Sequence, residues 1–391
     1  MDTSAAARGT RARPRVVVAG MGDTGLLVSV QLARRFDVVG VATRPALVSG
    51  QELGTRLADP DAWRRNYYLP FDRFRRLDQV QVRHGRITAV DPDGHEVRVE
   101  QADGSEVVEP YDALVIATGV RNGFWRHDRV EDLDAVESGL ADVQAQLDAA
   151  GTIAIVGGGA SGASVAVNLA TRHPDKDVHL FFARDEPLPD YHPRVRRRIA
   201  RELRVAGVHQ HPGHRAVVPD GFLGDRLTTE PIEWSTGQPP FTADVVLWAL
   251  GRVRPNSDFL PTALLDDDGF VRVDEHLRVP GHRDVFAVGD VAASDPNRSS
   301  ARNWGFLVVA SNVRAVLTGR EGRMRFFKAP EHRWGSILGP QDDGLVVFQP
   351  NGRTFRVPHR VVQPLLFDLY LHLAMYRGLR PPPERLGPPP G

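Results

Sequence analysis

The stretch RVVVAGMGDTG, residues 15–25, decides the fold of the first part of the chain. Its β-branched residues 15–19 predict a short buried strand, and the glycines that follow predict a tight turn. A helical pattern of apolar residues then runs to Arg35, and a second apolar strand covers residues 38–42. Strand, glycine turn, helix and parallel strand in this order form one βαβ unit.

The same pattern occurs a second time in TIAIVGGGASG, residues 152–162. A helix is predicted to follow to about Thr171, and the next parallel strand covers residues 178–183. One glycine turn of this kind is a weak signal. Two of them, each between a strand and a helix, indicate two nucleotide-binding units. A helical connector between the units is predicted at residues 131–150.

Each glycine of such a turn has its own physical role. The first permits the tight turn, the second lets the backbone approach a pyrophosphate, and the third allows close packing of helix on strand. The helix N-terminus then offers free N–H groups and a partial positive charge to the phosphates. The positions concerned are Gly20, Gly22 and Gly25 in the first unit and Gly157, Gly159 and Gly162 in the second.

Three further strand ends accompany the two units. YDALVIATG, residues 111–119, and DVVLWALG, residues 244–251, each predict a strand that ends at a glycine. DVFAVGD, residues 284–290, predicts a strand that ends in a Gly-Asp pair. We expect Gly289 to let the chain approach a cofactor and Asp290 to accept a hydrogen bond from a hydroxyl of that cofactor.

Composition narrows the chemistry. The 391 residues contain 49 Lys+Arg and 49 Asp+Glu, a balance that argues against a dedicated nucleic-acid binder. Cysteine is absent, so a disulfide, a thiolate metal site and a redox-active dithiol are excluded, and a cofactor must carry any redox step. No metal site is predicted, because the histidines at 209, 211 and 214 are interpreted as part of a solvated loop without a matching acid.

The chain also shows no apolar run of the length that spans a bilayer and no secretory signal at its start. A cytoplasmic location is therefore the default expectation. The apolar stretch from Val361 to Tyr376 is compatible with an interfacial helix beside a membrane, with packing as core and with a homodimer face. Residues 381–391 are Pro-rich, and we expect this tail to be disordered.

Together, GMGDTG, YDALVIATG, IAIVGGGASG, ALGRVRPN and VFAVGD resemble the two-dinucleotide-binding-domain flavoprotein (pyridine nucleotide-disulfide oxidoreductase) superfamily. Within it, the chain looks most like type II NADH dehydrogenases and the apoptosis-inducing-factor-like, ferroptosis-suppressor-type quinone reductases. The resemblance implies an α/β fold with two doubly wound, Rossmann-like domains. The FAD domain would comprise residues 15–121 and 262–320, the NAD(P) domain 150–261 would be inserted into it, and a small C-terminal α+β region would cover 321–380.

The resemblance also implies the site residues. The stretch from Asn303 to Phe306 should approach the flavin ring, and Trp304 is our candidate for a residue that stacks on the acceptor side. The expected FAD-binding residues are Gly20, Gly22, Thr24, Gly25, Thr43, Arg44, Thr118, Gly119, Gly289 and Asp290. The expected NAD(P)-binding residues are Gly157, Gly159, Ser161, Gly162, Arg184 and Gly251.

The departures from the family pattern concern acidic residues. The second strand of the first unit usually ends in Asp or Glu, which holds the adenosine ribose, whereas this chain has Ala42 and Thr43 there. The second unit has Phe182 or Ala183 at the corresponding position, followed by Arg184, which slightly favours NADPH over NADH as the donor. Ser164 stands where a Glu often lies beside the nicotinamide.

The resulting interpretation is an FAD-dependent NAD(P)H oxidoreductase. Hydride would pass from NAD(P)H to FAD, and electrons would then pass to a quinone or another small acceptor without a redox disulfide. Two alternatives remain open at this point: a ferredoxin- or rubredoxin-reductase-like electron-transfer flavoprotein, and a non-catalytic FAD/NAD(P)-binding sensor or scaffold.

Overall fold

The computed structural model describes residues 13–50, 52–121, 129–251, 253–298 and 304–382. The strands in these ranges are β1 (Arg15–Ala19), β2 (Asp37–Ala42), β3 (Ala46–Val48), β4 (Tyr68–Pro70), β5 (Val80–Asp91), β6 (Glu96–Gln101), β7 (Glu106–Pro110), β8 (Ala113–Ile116), β9 (Val120–Arg121), β10 (Thr152–Val156), β11 (Asp177–Phe181), β12 (His209–His211), β13 (Val245–Trp248), β14 (Arg254–Pro255), β15 (Val285–Ala287), β16 (Pro340–Gln341), β17 (Gly344–Phe348) and β18 (Thr354–Val357).

The helices flank these strands, with short 3₁₀ turns at Phe71–Arg73, Leu77–Gln79, Thr262–Leu264 and Glu321–Arg323. Near its C-terminus the chain forms a π-helix, α9 (Val362–Met375). The helices are α1 (Asp23–Leu32), α2 (Leu53–Ala58), α3 (Pro60–Tyr67), α4 (Leu133–Ala149), α5 (Ala160–Arg172), α6 (Pro193–Val205), α7 (Gly305–Leu317), α8 (His359–Val361) and α9 (Val362–Met375).

The first sheet has seven strands in the order β15-β8-β1-β2-β5-β6-β7. Strands β15, β8, β1, β2 and the start of β5 run parallel, and β5, β6 and β7 continue as an antiparallel meander. The buried strands β1 and β8 are almost entirely apolar, as expected where both faces of a parallel sheet are covered. Because β15 pairs with β8, the chain returns to this sheet after it has completed the second one.

The second sheet is parallel, with the order β12-β11-β10-β13. Val156 at the end of β10 is in register with Phe181 of β11 and with Trp248 of β13. The carboxyl ends of these strands therefore meet at one edge, which is where α/β sheets bind ligands. The predicted connector is confirmed as α4, which begins after the N-cap Asp132.

The C-terminal region contacts both sheets' domains. In the direction of the first sheet, Phe367 of α9 packs edge-on against Tyr67 at 5.7 Å between ring centroids, and Tyr376 packs on Phe74 at 5.1 Å. In the direction of the second sheet, the side-chain amide of Asn168 donates to the carbonyl oxygen of Leu338 at 2.9 Å. The segment before β16 therefore lies between α5 and α2, where Gly339 packs against Thr55.

The predicted fold class is confirmed: two α/β units with parallel sheets and a smaller C-terminal region. The exact domain bounds stay a prediction. Of the tail predicted to be disordered, residues 383–391 lie outside the described residues. Among the helices of the described residues, none combines the length and the apolar character needed to cross a lipid bilayer.

Candidate functional site

The first glycine turn joins β1 to α1. Gly20 adopts a φ of +97°, and a Cβ there would lie 2.7 Å from the carbonyl oxygen of Ala117. A Cβ on Gly25 would collide with the carbonyl oxygen of Gly20, so α1 approaches β1 closely only because residue 25 has no side chain. Gly22, the N-cap of α1, has open space where its Cβ would stand, with no described atom within 4 Å. The turn is closed behind and open in front, where the free N–H groups of α1 can meet a phosphate.

The second glycine turn repeats this arrangement between β10 and α5. Gly157 has a φ of +129°, and a Cβ there would collide with the carbonyl oxygen of Ala249. A Cβ on Gly162 would collide with the carbonyl oxygen of Gly157, whereas Gly159 at the N-cap of α5 again faces open space within the described chain. The three roles that the sequence assigns to the glycines correspond to three different local environments in both turns.

A cavity of about 900 Å³ opens in front of the first turn. It extends from the end of β2 past the first glycine turn to the start of α5 and then to the C-terminal region. Its length and its mixed lining suit an extended dinucleotide. The predicted site residues that line it are Gly20, Gly22, Thr24, Thr43, Arg44, Thr118, Gly119, Asp290 and Ser161.

The remaining predicted residues do not line this cavity in the described part of the chain. Gly25 lies behind the first turn, and Gly289 has a φ of +81°, with Thr24 Oγ1 3.1 Å from where its Cβ would stand. The other predicted NAD(P) residues lie at the carboxyl edge of the second sheet, outside the cavity. They are Gly157, Gly159, Gly162, Arg184 and Gly251.

Asn256 is a cavity residue that the sequence reasoning did not single out, although the motif ALGRVRPN contains it. Its side-chain amide donates to the Thr118 carbonyl oxygen at 2.9 Å, and Thr118 Oγ1 donates to the Asn256 carbonyl oxygen at 2.6 Å. The Asn256 backbone N–H also donates to the carbonyl oxygen of Gly119 at 3.0 Å. These hydrogen bonds link the segment that follows the second sheet to the Ala-Thr-Gly motif predicted from the sequence.

The end of β2 has no acidic residue of its own, but a carboxylate lies beside it. The backbone N–H of Glu131 donates to the Thr43 carbonyl oxygen at 2.9 Å, and Glu131 Oε2 accepts from Arg44 Nε at 2.7 Å. His84 Nε2 lies 3.0 Å from the Glu131 carbonyl oxygen and so closes the same corner. Glu131 therefore fixes Arg44, a cavity residue, at the position where the family pattern has its ribose-binding acid.

The C-terminal region supplies one wall of the cavity, which the sequence reasoning did not foresee in detail. This wall is largely apolar and aromatic, as expected for a surface that receives a ring system. Burial raises the pKa of the neighbouring Tyr191 hydroxyl, with the Arg333 charge acting in the opposite direction. The C-terminal residues that line the cavity are Arg333, Trp334, Gly335, Ser336, Ile337, Leu345, Leu366, Phe367, Tyr370, Leu371 and Met375.

Trp304 precedes α7 and is 62% exposed. It does not line the cavity among the described residues, and Asn303 lies outside the described residues. Its stacking role stays a prediction. Trp334, by contrast, lines the cavity directly.

The interpretation of the histidines at 209–214 as a solvated loop without an acid was wrong in two respects. His209 and His211 form the edge strand β12, and Asp177 accepts from both His209 and His179 at 3.0 Å. The hydrogen bond from His179 is the main cause that lowers the pKa of Asp177. His211 stacks on Phe181 at 4.2 Å between centroids. The missed signal was His179, whose alternation with Phe181 predicts one face of β11.

Among the described residues, no group of three or more His, Cys, Asp or Glu is arranged so that it could hold a metal ion. The cluster is a stack of rings on the outer edge of the second sheet, with Trp234 and Phe241 beneath it.

The geometry fits two nucleotides. Two open N-caps, Gly22 and Gly159, each offer a helix N-terminus to a pyrophosphate, and a Cβ at either position would extend into the space that a phosphate needs. The cavity joins the first N-cap to Ala160, Ser161 and Ser164 on one face of α5, so a ligand at each turn can meet the other within it.

The comparisons with known proteins agree with this geometry. Residues 3–312 match the family model described as pyridine nucleotide-disulphide oxidoreductase. The chain belongs to this family. It is therefore an oxidoreductase that uses a nicotinamide nucleotide and a flavin, and the absence of cysteine from its sequence means that no redox disulfide of its own takes part.

Several relatives and solved structures are similar to this family member. The oxidoreductase ptaL of Pestalotiopsis fici is 29% identical over 85% of this chain and 84% of its own length. Ferroptosis suppressor protein 1 of Xenopus tropicalis is 24% identical over 78% of this chain and 82% of its own length. A ferredoxin reductase from Rhodopseudomonas palustris has the same fold, with a TM-score of 0.60, 21% identity and coverage of 82% of this chain and 79% of that one.

Proposed function

We propose that the protein passes electrons from NADPH, through bound FAD, to a quinone that arrives along the C-terminal helix. The observation that carries this proposal is the position of α9. Phe367, Tyr370 and Leu371 of this helix line the same cavity as the FAD motif residues Gly20 and Asp290. An apolar wall beside a flavin site suits a lipophilic acceptor better than a hydrophilic one.

We assign donor binding to one side of the cavity and acceptor binding to the other. The face of α5 with Ser161 and Ser164 supports donor binding, because it lies one turn beyond the second pyrophosphate site. The α9 wall with Phe367 and Met375 supports acceptor binding. A flavin held between these two walls would supply the redox chemistry that links the donor to the acceptor. The protein's task is to orient the rings and to exclude water from the space between them.

NADPH is proposed over NADH because of Arg184. This exposed residue directly follows the position, Phe182 or Ala183, where an acid would accept a hydrogen bond from the 2′-hydroxyl. A guanidinium there can instead pair with a 2′-phosphate. Because Arg184 is exposed, its contact with a 2′-phosphate would allow the nucleotide to bind and dissociate in each cycle.

Contact with a membrane surface is proposed from the outer side of α9. Leu365, Leu369 and Leu373 are 52%, 52% and 59% exposed, and Tyr370 is 48% exposed while it also lines the cavity. An apolar patch of this kind that continues into a cavity supports entry of a lipophilic substrate from the acyl-chain boundary.

The test uses purified holoprotein in two assays. The first adds NADPH or NADH anaerobically and follows bleaching of the flavin absorption; the second measures turnover with a short-chain soluble quinone and with a long-chain quinone in anionic liposomes. We compare the wild type with the triple variant Leu365→Ser, Leu369→Ser, Leu373→Ser. A pair of exposed apolar residues elsewhere, Val205→Ser with Leu223→Ser, is the matched control.

We expect the triple variant to retain soluble-quinone turnover and to lose about tenfold in turnover with the liposomal quinone, because only partition into the bilayer is reduced. The control should resemble the wild type. Equal losses with both quinones would contradict the membrane contact. A concentration-dependent dimer that dissociates in the triple variant would assign the patch to a second copy. No turnover with any quinone, but reduction of a small acidic iron–sulfur protein, would favour the reductase alternative, and a bound flavin that neither nucleotide bleaches would favour the sensor.

A further inference from the structure

Helices α2 and α5 pack unusually closely where the two nucleotide-binding units meet. A Cβ on Gly54 of α2 would collide with Ser164 Oγ and would lie 2.5 Å from the Ser164 carbonyl oxygen and 2.7 Å from Asn168 Nδ2. Position 54 of α2 therefore has no room for a side chain against α5.

Two hydroxyl groups at the same contact await a partner. Ser164 Oγ and Thr55 Oγ1 are buried, and neither has a hydrogen-bond partner among the described residues. Their residues are only 3% and 4% exposed. Buried polar groups are nearly always hydrogen-bonded in folded proteins, so an unpaired hydroxyl in a cavity wall indicates a ligand that is part of the working site. Ser164 lines the cavity.

A carboxylate lies close to the Thr55 hydroxyl. Glu52 is the N-cap of α2, lines the cavity and adopts the left-handed conformation, with φ 57° and ψ 45°. This conformation is costly for a residue with a side chain and is found where surrounding structure demands it. Gly339 of the C-terminal region packs against the same place: a Cβ there would collide with Glu52 Oε2 and lie 2.7 Å from Thr55 Oγ1.

The position of Glu52 and Ser164 at the cavity, beside the N-terminal half of α5, determines which part of a ligand they can contact. Ala160, Ser161 and Ser164 follow one another along the cavity face of α5. If a dinucleotide placed its pyrophosphate at the N-terminus of α5 and its other end in the cavity, its nicotinamide end would pass Ser164. The carboxamide of a nicotinamide carries an NH₂ donor, and an ionised carboxylate only accepts hydrogen bonds.

We propose that Glu52 selects the carboxamide of the nicotinamide by accepting a hydrogen bond from its NH₂ group, with Ser164 Oγ completing the contact. The inference rests on the proposed donor site and does not depend on the acceptor. It makes α2, an element of the FAD-type domain, part of the donor site of the second unit. Glu52 is then a specificity-determining residue, since it repels any ring that carries a negative group in place of the carboxamide.

The experiment measures equilibrium binding to the holoprotein by calorimetry, without turnover. The probes are the oxidised nicotinamide dinucleotide that the wild type prefers and its deamido analogue, in which a carboxylate replaces the carboxamide. The variants are Glu52→Gln, whose amide can donate to a carboxylate, and Glu106→Gln, an exposed position on β7 away from the cavity, as the matched control.

We expect the wild type and Glu106→Gln to bind the carboxamide form at least about tenfold more tightly than the deamido form. Glu52→Gln should lose about tenfold for the carboxamide form, equivalent to about 1.4 kcal/mol, and gain affinity for the deamido form. Flavin content and the absorption spectrum should stay those of the wild type.

A purely structural role for Glu52 would weaken both probes equally, and that result would overturn the proposal; so would an unchanged preference in Glu52→Gln. If the wild type bound neither probe, that result would contradict the proposed donor site and therefore this inference as well. Binding without turnover on any quinone would overturn only the proposed acceptor. Should Glu52→Gln not retain flavin, Glu52→Ala with the same pair of probes decides, because removal of the negative charge alone should relieve repulsion of the deamido form.

Discussion

The two glycine turns are alike in their backbones and differ in what surrounds them. Gly20 and Gly157 both have a positive φ, and Gly25 and Gly162 both allow a helix to pack on a strand. The first turn opens into a cavity closed on its far side by the C-terminal region. Within the described chain, the second contributes to that cavity only through the start of α5. We therefore call the first turn the enclosed turn and the second the open turn. An enclosed turn suits a resident cofactor, and an open turn suits a nucleotide that is exchanged at each cycle.

The sharpest way to break this comparison is to fill the open N-cap of each turn. Gly22→Val and Gly159→Val place a side chain where no described atom lies within 4 Å of the Cβ, so the protein itself should fold. We expect Gly22→Val to purify without flavin, because the side chain occupies the space of the pyrophosphate. Gly159→Val should retain flavin and bind the nicotinamide nucleotide at least about tenfold more weakly, a loss of about 1.4 kcal/mol. Flavin absorbance and calorimetric titration measure the two effects.

The paired design supplies its own control, since each variant tests the function that the other should leave intact. Wild-type circular dichroism in both variants would show that folding is preserved. Loss of flavin in Gly159→Val as well would contradict the division of the two turns between resident and exchangeable nucleotides.

A second test concerns the open turn alone. Arg184→Ala should lower the ratio of kcat/KM for NADPH over that for NADH by about tenfold, because a charge-assisted hydrogen bond to a 2′-phosphate contributes about 1.5–3 kcal/mol and exposure reduces this contribution. Steady-state rates with both donors give the ratio. Arg194→Ala, on the exposed side of α6, is the matched control. An unchanged ratio in Arg184→Ala would remove the proposed preference for NADPH.

A third test sharpens the description of the enclosed turn. Trp334 lines the cavity, whereas Trp304 is largely exposed at the start of α7. We expect Trp334→Ala to slow flavin reoxidation by a quinone by about threefold to tenfold, because one aromatic stacking contact contributes about 0.5–1.5 kcal/mol. Stopped-flow measurement of flavin reoxidation after reduction isolates this step. An effect in Trp304→Ala with none in Trp334→Ala would restore Trp304 as the stacking residue.

The sequence allowed the local parts of the site to be predicted and left the distant ones unseen. Gly20, Gly22 and Gly25 act within one turn, so their spacing alone predicts their roles, and the same holds for the second turn. Glu52, Ser164 and Gly339 come from three separate segments, and nothing in their local spacing predicts that they meet. The same is true of Glu131, which stands beside Thr43 although the two are far apart in sequence.

The histidine cluster shows the same limit from another direction. The run of residues 209–214 looks like a solvated loop when it is considered alone. Its first part is a strand because it pairs with β11, which brings His209 and His211 beside His179 and Asp177. Parallel pairing of strands separated by a helix is a tertiary property that a short polar run does not reveal.

This cluster gives the smallest expected effect, and it belongs to the second sheet only. Burial, and then the neighbouring charges of His179, His214 and His209, lower the pKa of His211 from 6.5 to about 4, while Asp177 acts in the opposite direction. His211 is thus neutral in the folded protein at a pH where the unfolded chain binds a proton. Titration of His211 therefore leaves the free energy of unfolding unchanged above pH 6.5. It lowers that free energy as the pH falls from 6.5 towards about 4.

Hydrogen exchange of the β11 and β12 amides at several pH values measures this loss in the second sheet, with β1 and β8 as the internal reference in the first. His211→Gln should flatten the pH dependence of protection in β11 and β12, after correction for the intrinsic exchange rate, because the titrating ring is gone while a polar side chain remains. His282→Gln, in the loop before β15, should leave it unchanged. If β1 and β8 lost protection in step with β11 and β12, the two sheets would unfold as one cooperative unit. The contrast between an enclosed first half and an open second half would then describe ligand access without any difference in stability.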